Sequence, residues 1–289
     1  MSESGSYYIP NGSKWPIIAS IAVCTAMVGG STLLNGNDFG KYVLFIGLAL
    51  IVFMIVGWFN TVISESENGV YDTQVDTSFR WGMIWFIFSE VMFFAAFFGA
   101  LYYVRAYSLP WLGGEGAGLA TNTFLWPEYE ANWPSTANGP GEIGGDFQVM
   151  GAWGLPAINT AILLTSGVTL TWAHHALKEM KRMQLIIGLG LTVALGILFM
   201  YFQGLEYGHA FNDLNLNLGS GIYGSTFFML TGFHGFHVTI GTIMLIVILG
   251  RCIYGHFNPK NHFAFEAVAW YWHFVDVVWL GLFIFVYWI

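Results

Sequence analysis

Seven long apolar stretches constrain this chain more than any other feature. A helix needs about 20 apolar residues to cross the roughly 30 Å of a bilayer's hydrocarbon core. These stretches are too long for barrel strands, and they lack the strict alternation of such strands. The sequence therefore predicts an all-α polytopic membrane protein. We place its seven transmembrane helices at about residues 15–34, 42–63, 81–103, 156–173, 184–201, 222–250 and 263–288.

The charge content excludes the main soluble classes. Only 9% of the 289 residues are charged, against about 25% in ordinary soluble domains. So few charges cannot cover a soluble enzyme, and the net charge of −8 offers no basic surface for nucleic acid. Cys24 and Cys252 form no CxxC motif and no disulfide framework. The polar residues 1–14 are not followed by a short apolar stretch with a cleavage site, so no cleaved signal peptide is expected.

One long segment separates the third and fourth spans. Residues 108–154 are rich in Gly, Pro, Trp, Asn and acidic residues. We expect an extramembrane loop with room for a short helix, but without a core of its own. The whole chain, residues 1–289, is therefore predicted to be a single membrane domain.

The distribution of basic residues predicts the orientation. With the N-terminus inside, two basic residues fall on the outer side, Lys41 and Arg105. The inner side then holds the other seven: Lys14, Arg80, Lys178, Lys181, Arg182, Arg251 and Lys260. An odd number of spans places Ile289 and the long acidic loop outside.

Glu90 is the sharpest candidate for function inside the membrane. It follows Arg80 by ten residues, which places it about 15 Å along the helix, near the middle of the bilayer. Its neighbours are aromatic and apolar, so we expect the protonated acid. Two interpretations have equal weight: a proton-exchange site, or a neutral acid that hydrogen-bonds to a neighbouring helix.

The seventh span contains Glu266, His273 and Asp276. His273 and Asp276 are three residues apart and so share a helix face. They could form a proton relay or contact a buried partner. A polar pair that joins helices is the favoured interpretation.

His234 and His237 have the same spacing in the sixth span, which could direct two nitrogens at one metal ion. His273 and Glu206 are the only candidates for further ligands, and none lies close in sequence. Hydrogen bonds between helices explain the pair as well, so we predict no metal site and no catalytic centre in this chain.

Histidines also occur near the predicted inner ends of spans. His174 and His175 are expected to face lipid headgroups. Arg251 and His256, with Lys260 nearby, could bind lipid phosphates. By themselves they are explained equally well by the general excess of basic residues on the inner side.

Four motifs, in the same order along the chain, resemble subunit 3 of haem-copper cytochrome c oxidase. The resemblance covers about residues 80–289, and the first two spans match in position and character. The motifs are FRWGMIWFIFSEVMFF (79–94), Asn159-Thr160 with TWAHH (171–175), YGSTFF with TGFHGFHV (223–238), and FAFEAVAWYWHFVDVVW (263–279).

The resemblance implies a subunit that supports proton uptake and stability of the catalytic subunit in a proton-pumping oxidase. That oxidase reduces oxygen to water with electrons from cytochrome c. Subunits 1 and 2 would be its direct partners, and haem and copper would belong to partner subunits. Ubiquinol as the electron donor, or a stand-alone proton-conducting protein, remain alternatives. The expected location is the bacterial cytoplasmic membrane, with the mitochondrial inner membrane as the alternative.

The same resemblance also implies the arrangement of the helices and the positions of the functional residues. It implies two bundles, helices 1–2 and 3–7, with a cleft between them that holds phospholipid. Glu90 matches the family's mid-membrane glutamate, and the lipid-contact residues match Trp58, Arg80, Arg251 and His256. Residues 63–72 lack the Arg-Glu pair and the Gly-His-His run of many relatives, so part of that lipid site is expected to differ.

Overall fold

The computed structural model describes residues 12–134 and 146–288, and within them it contains α-helices and short helical turns without β-strands. Seven helical segments are long and apolar enough to cross a membrane, which confirms the predicted all-α, seven-span fold. The helices are α1 (Trp15–Leu34), α2 (Phe39–Glu67), α3 (Thr73–Tyr103), α4 (Leu109–Leu112), α5 (Leu119–Leu125), α6 (Leu155–Lys178), α7 (Arg182–Asn212), α8 (Gly221–Tyr254) and α9 (Phe263–Leu282).

Two segments of π-helix extend the spans. Val104–Ser108 joins α3 to α4, so the third span continues to Leu112. Phe283–Trp288 extends α9. The segment predicted as a loop from residue 108 thus begins with helix, and its residues 135–145 lie outside the described part of the chain.

The chain divides into two compact units, residues 1–81 and 82–289. In the described part of the first unit, α1 and α2 pack closely through glycines. A Cβ atom on Gly29 would clash with the backbone of Leu44, and one on Gly47 would clash with the backbone of Ala26. Small residues allow this close approach between membrane helices. The assembly of the helices into two bundles around a lipid cleft stays a prediction.

The second unit has its core among α6, α7, α8 and α9. The two largest buried side chains, Trp272 and Trp279, lie on α9. Their indole N–H groups donate to Ser166 Oγ (2.8 Å) and Thr160 Oγ1 (2.9 Å) on α6. These bonds satisfy the polar atoms of both tryptophans and fix the register of α9 against α6.

Candidate functional site

Glu90 of α3, the acid predicted to lie mid-membrane, has a partner on α8. His237 Nε2 lies 2.9 Å from Glu90 Oε2, while His237 Nδ1 lies 2.6 Å from the backbone oxygen of Phe233. Both ring nitrogens are therefore engaged. Sequence reasoning did not find this pair, because 147 residues separate its members.

The geometry fixes how many protons the pair holds. A carbonyl oxygen only accepts hydrogen bonds, so His237 Nδ1 must carry the proton that it donates to Phe233. If the imidazole is neutral, Nε2 is then an acceptor, and Glu90 must be protonated to donate to it. If Nε2 also carries a proton, the ring is a cation and Glu90 is its anion. Either way one proton is shared between Glu90 Oε2 and His237 Nε2, and the pair has no net charge.

Aromatic rings surround this pair. Phe94 packs against His237 at a centroid distance of 5.0 Å, Phe93 lies at 6.0 Å, and Tyr271 stacks at 6.3 Å. The side chains of Glu90 and His237 are 21% and 10% exposed. If one partner were removed, few polar groups nearby could bond the other. The Glu90 carboxyl is nevertheless partly accessible.

His234, one turn away on α8, has different surroundings. Its ring is fully buried, 5.1 Å from Trp279 and 5.9 Å from Phe199. Because Phe233 and Glu90 engage both nitrogens of His237, this arrangement does not present one nitrogen from each histidine to a common metal ion.

A second group of ionisable residues lies where α6 ends and α9 begins. Glu266 Oε1 is 3.3 Å from His262 Nε2 and 3.6 Å from His174 Nε2. The three possible ligand atoms lie within 4.8 Å of one another, so they could hold a divalent cation with two nitrogens and one carboxylate oxygen. The spacing of His262 and Glu266, four residues on one helix face, was the only signal in the sequence. His174, expected to face headgroups, instead lies against this carboxylate.

His273 and Asp276 lie side by side on α9, but loosely. His273 Nδ1 is 3.7 Å from Asp276 Oδ2, and its Nε2 is 3.4 Å from Thr171 Oγ1. Asp276 is buried against Gly167, where a Cβ atom would approach its Oδ2 to 2.6 Å. The glycine makes room for a carboxyl group inside the helix packing.

The predicted lipid contacts have varied environments. In the first unit, Trp58 is half exposed, and Arg80 forms an ion pair with Asp76 at 2.8 Å. In the second unit, Arg251 is largely buried, with its guanidinium 4.5 Å from the ring centre of Phe257. His256 is exposed and stacks on Tyr254 at 5.8 Å.

Comparisons with known proteins identify the family. Residues 5–117 and 129–289 match the family described as cytochrome c oxidase subunit III. Cytochrome c oxidase subunit 3 of Marchantia polymorpha is 40% identical over 289 residues, which cover 100% of this chain and 98% of the relative. The subunit 3 proteins of Triticum aestivum and Squalus acanthias are also 40% identical, over 99% of this chain and 97% and 98% of their own lengths. The chain therefore belongs to the cytochrome c oxidase subunit III family, and so is a subunit of a terminal oxidase.

Proposed function

We propose that this chain is the non-redox third core subunit of a proton-pumping oxidase that passes electrons from cytochrome c to oxygen. Its role is to support proton uptake and stability of the catalytic subunit, which it contacts together with subunit 2. The observation that carries the proposal is the family match over residues 5–117 and 129–289. It includes all seven spans.

The Glu90–His237 pair supports a proton-related role. A proton can move between Glu90 Oε2 and His237 Nε2, across 2.9 Å, without a change in the net charge of the pair. A pair of this kind can hold a proton in the membrane without leaving an unpaired ion there. Because Glu90 is 21% exposed, an exchanging group outside the chain could reach it.

Haem and copper belong to partner subunits in this proposal. They supply the electron-transfer chemistry there, while the residues of this chain hold and position protons. Both nitrogens of His237 already have hydrogen-bond partners, so His237 has no nitrogen left for a metal ion shared with His234. This supports the proposal that the metals belong to partner subunits.

The proposal can be tested by affinity purification of the complex with a tag on this chain. The reduced-minus-oxidised spectrum of the purified complex should show haem. The complex should also oxidise cytochrome c, and Glu90→Gln should leave oxygen reduction active, since no electron path needs this side chain. Loss of oxygen reduction in a fully assembled Glu90→Gln complex would show that Glu90 is an obligatory proton carrier.

The same purified complex also distinguishes the two alternative functions. A complex that oxidises ubiquinol but not cytochrome c would identify a quinol oxidase. The spans α1 and α2 favour cytochrome c, because quinol-oxidase relatives often lack the first two spans. Recovery of the chain without any haem or copper subunit would instead favour a stand-alone proton-conducting protein.

Bound phospholipid is the second part of the proposal. We infer that Arg251 and His256 hold a lipid headgroup, since a basic residue near an anionic surface contributes about 1 kcal/mol. Arg251→Ala should lower the phospholipid retained after detergent purification, measured by mass spectrometry. Lys260→Ala is the matched control, because Lys260 is exposed in the following turn. Equal lipid content in both variants would contradict the site.

The orientation follows from the seven-to-two bias of basic residues. We propose that the N-terminus is cytoplasmic and the C-terminus periplasmic in a bacterial cytoplasmic membrane, with the equivalent sides of a mitochondrial inner membrane as the alternative. Reporter fusions at Gly113 and Met180, in turns on opposite sides of the predicted membrane, test this. A reporter at Gly113 that is active in the cytoplasm would reverse the orientation.

A further inference from the structure

A layer of buried polar side chains lies inside the second unit, apart from the Glu90–His237 pair. Its members are Asn159 on α6, Gln203 and Glu206 on α7, and His234 on α8. Asn159, Glu206 and His234 are 0% exposed and Gln203 is 4% exposed. The proposed function uses none of them.

Contacts between α7 and α8 place two of these residues at one depth. Tyr207 Oη and Thr231 Oγ1 are 2.7 Å apart, and Thr239 Oγ1 lies 3.5 Å from Met200 Sδ. The two helices run antiparallel, so residues near the middle of these contacts lie at about the same depth. Gln203 on α7 and His234 on α8 are two such residues.

Trp279 links Asn159 to the same layer. Its indole nitrogen bonds Thr160 Oγ1, next to Asn159 in the chain, at 2.9 Å. Its ring lies 5.1 Å from His234 and 4.8 Å from Phe199, which is one helical turn from Gln203. His234 thus contacts Trp279 directly, while Asn159 and Gln203 lie one position and one helical turn from residues that contact it.

The polar atoms of this layer have little to bond to within the described residues. Both side-chain polar atoms of Asn159, Gln203 and His234 lack a well-aligned hydrogen-bond partner there, as does Glu206 Oε2. The Gln203 amide does lie near the hydroxyl group of Tyr287, which already donates to Glu206. The other oxygen of Glu206 accepts from Tyr287 Oη at 2.5 Å. Phe199 offers no hydrogen-bonding group, and the indole N–H of Trp279 is already engaged. Buried polar groups nearly always have a partner, because leaving them unpaired is costly.

We propose that Asn159, Gln203, His234 and Glu206 together bind a small cluster of ordered water. Water both donates and accepts, so it can serve amide N–H groups, amide oxygens and either imidazole nitrogen. A buried water makes about three hydrogen bonds, and the seven unpaired atoms therefore call for roughly two or three molecules. Two amides and an imidazole outnumber the single carboxyl group, Glu206, which Tyr287 already bonds through one oxygen. The layer therefore suits an uncharged ligand better than an ion.

The sign of a stability change tests this proposal. Gln203→Met keeps the approximate shape of the side chain but removes both bonding atoms. If water binds here, the variant removes bonds to it and should lower the temperature at which the chain leaves the intact complex, by about 2 °C or more. If the layer is dry, the variant replaces an unpaired amide with an apolar group, and this temperature should stay the same or rise. That second result would overturn the proposal.

A control and a direct measurement complete the test. Thr242→Val is the matched control, because buried Thr242 bonds Val238 O within its own helix, away from the layer. It should change the temperature less than Gln203→Met does. In a map of the unaltered complex that resolves water, density should lie about 2.7–3.2 Å from Asn159, Gln203 and His234. A map in which these side chains bond one another directly, without water, would overturn the proposal even if Gln203→Met fails to assemble.

Discussion

Glu90 and His237 should be energetically coupled, so that the two single variants together cost more than the double variant does. Glu90→Leu leaves His237 Nε2 unpaired among aromatic rings, and His237→Leu leaves the Glu90 carboxyl unpaired. Each unpaired buried group costs about 1–3 kcal/mol. The double variant leaves neither group behind, so its loss of stability should fall below the sum of the single losses by at least about 2 kcal/mol.

Glu90→Gln should lower stability less than Glu90→Leu does. The Gln amide can still donate to His237 Nε2, while His237 Nδ1 keeps its bond to the Phe233 oxygen. We therefore expect a loss of no more than about 1 kcal/mol, the typical net contribution of one hydrogen bond. A large loss in this variant would indicate that the pair rests as an ion pair, whose charge the amide cannot replace.

Thermal release of the chain from the intact complex is the appropriate assay, with oxygen consumption as a check on the remaining subunits. The control cycle uses Asp76→Ala and Arg80→Ala, because this i,i+4 pair is partly exposed, at 41% and 33%. Its coupling should be only about 0.3–0.5 kcal/mol. If the losses at Glu90 and His237 add to within about 0.5 kcal/mol, the contact is not energetically significant and the reasoning fails.

Three further predictions concern other parts of the chain. A hydrophobic carbodiimide should modify Glu90 in preference to other acids, because it reacts with protonated carboxyl groups from the lipid phase; mass spectrometry of the modified peptides would show an unmodified Glu90 if this is wrong. The sequence predicted no metal site, but the structure brings possible ligand atoms of His174, His262 and Glu266 within 4.8 Å of one another. We therefore expect added zinc to bind there, and Glu266→Gln should weaken binding by about tenfold or more while His175→Ala does not. Equal affinities by calorimetry on the complex would exclude the site. Gly29→Val should reduce assembly, since any Cβ atom there meets the α2 backbone. Gly30→Ala should be tolerated, because its Cβ atom would meet none of the described residues within 4 Å. Equal yields of complex would contradict the close helix packing.

The sequence predicted the number of helices well but not their ends. The fifth span was predicted to end at about residue 201, and the polar residues Gln203, Glu206 and His209 follow it. In the structure α7 continues to Asn212. Glu206 can remain inside because its carboxyl accepts a bond from Tyr287. Polar residues in a sequence therefore indicate the end of a span only when no side chain on another helix can form hydrogen bonds with them.

The sequence supports a prediction of the depth of Glu90, but it could not identify its partner. Distance along a helix is fixed by the rise per residue, so counting from Arg80 locates the acid near mid-membrane. Which residue of another helix lies opposite depends on helix packing, which periodicity does not reveal. His174 and Glu266 illustrate the same limit, since 92 positions separate two side chains that lie 3.6 Å apart.

Three acids in the predicted spans of the second unit have histidine partners, whereas Glu206 on α7 is bonded by Tyr287. Glu90 lies against His237, Asp276 against His273, and Glu266 against two histidines. An acid and a neutral imidazole have no net charge whichever of them holds the shared proton, whereas a lysine or arginine partner would keep its charge at all relevant pH values. A bilayer penalises net charge far more than dipoles. Histidine partners are thus compatible with acids in the membrane, and they would permit the proton exchange proposed for Glu90, while the Lys and Arg side chains lie near the ends of the predicted spans.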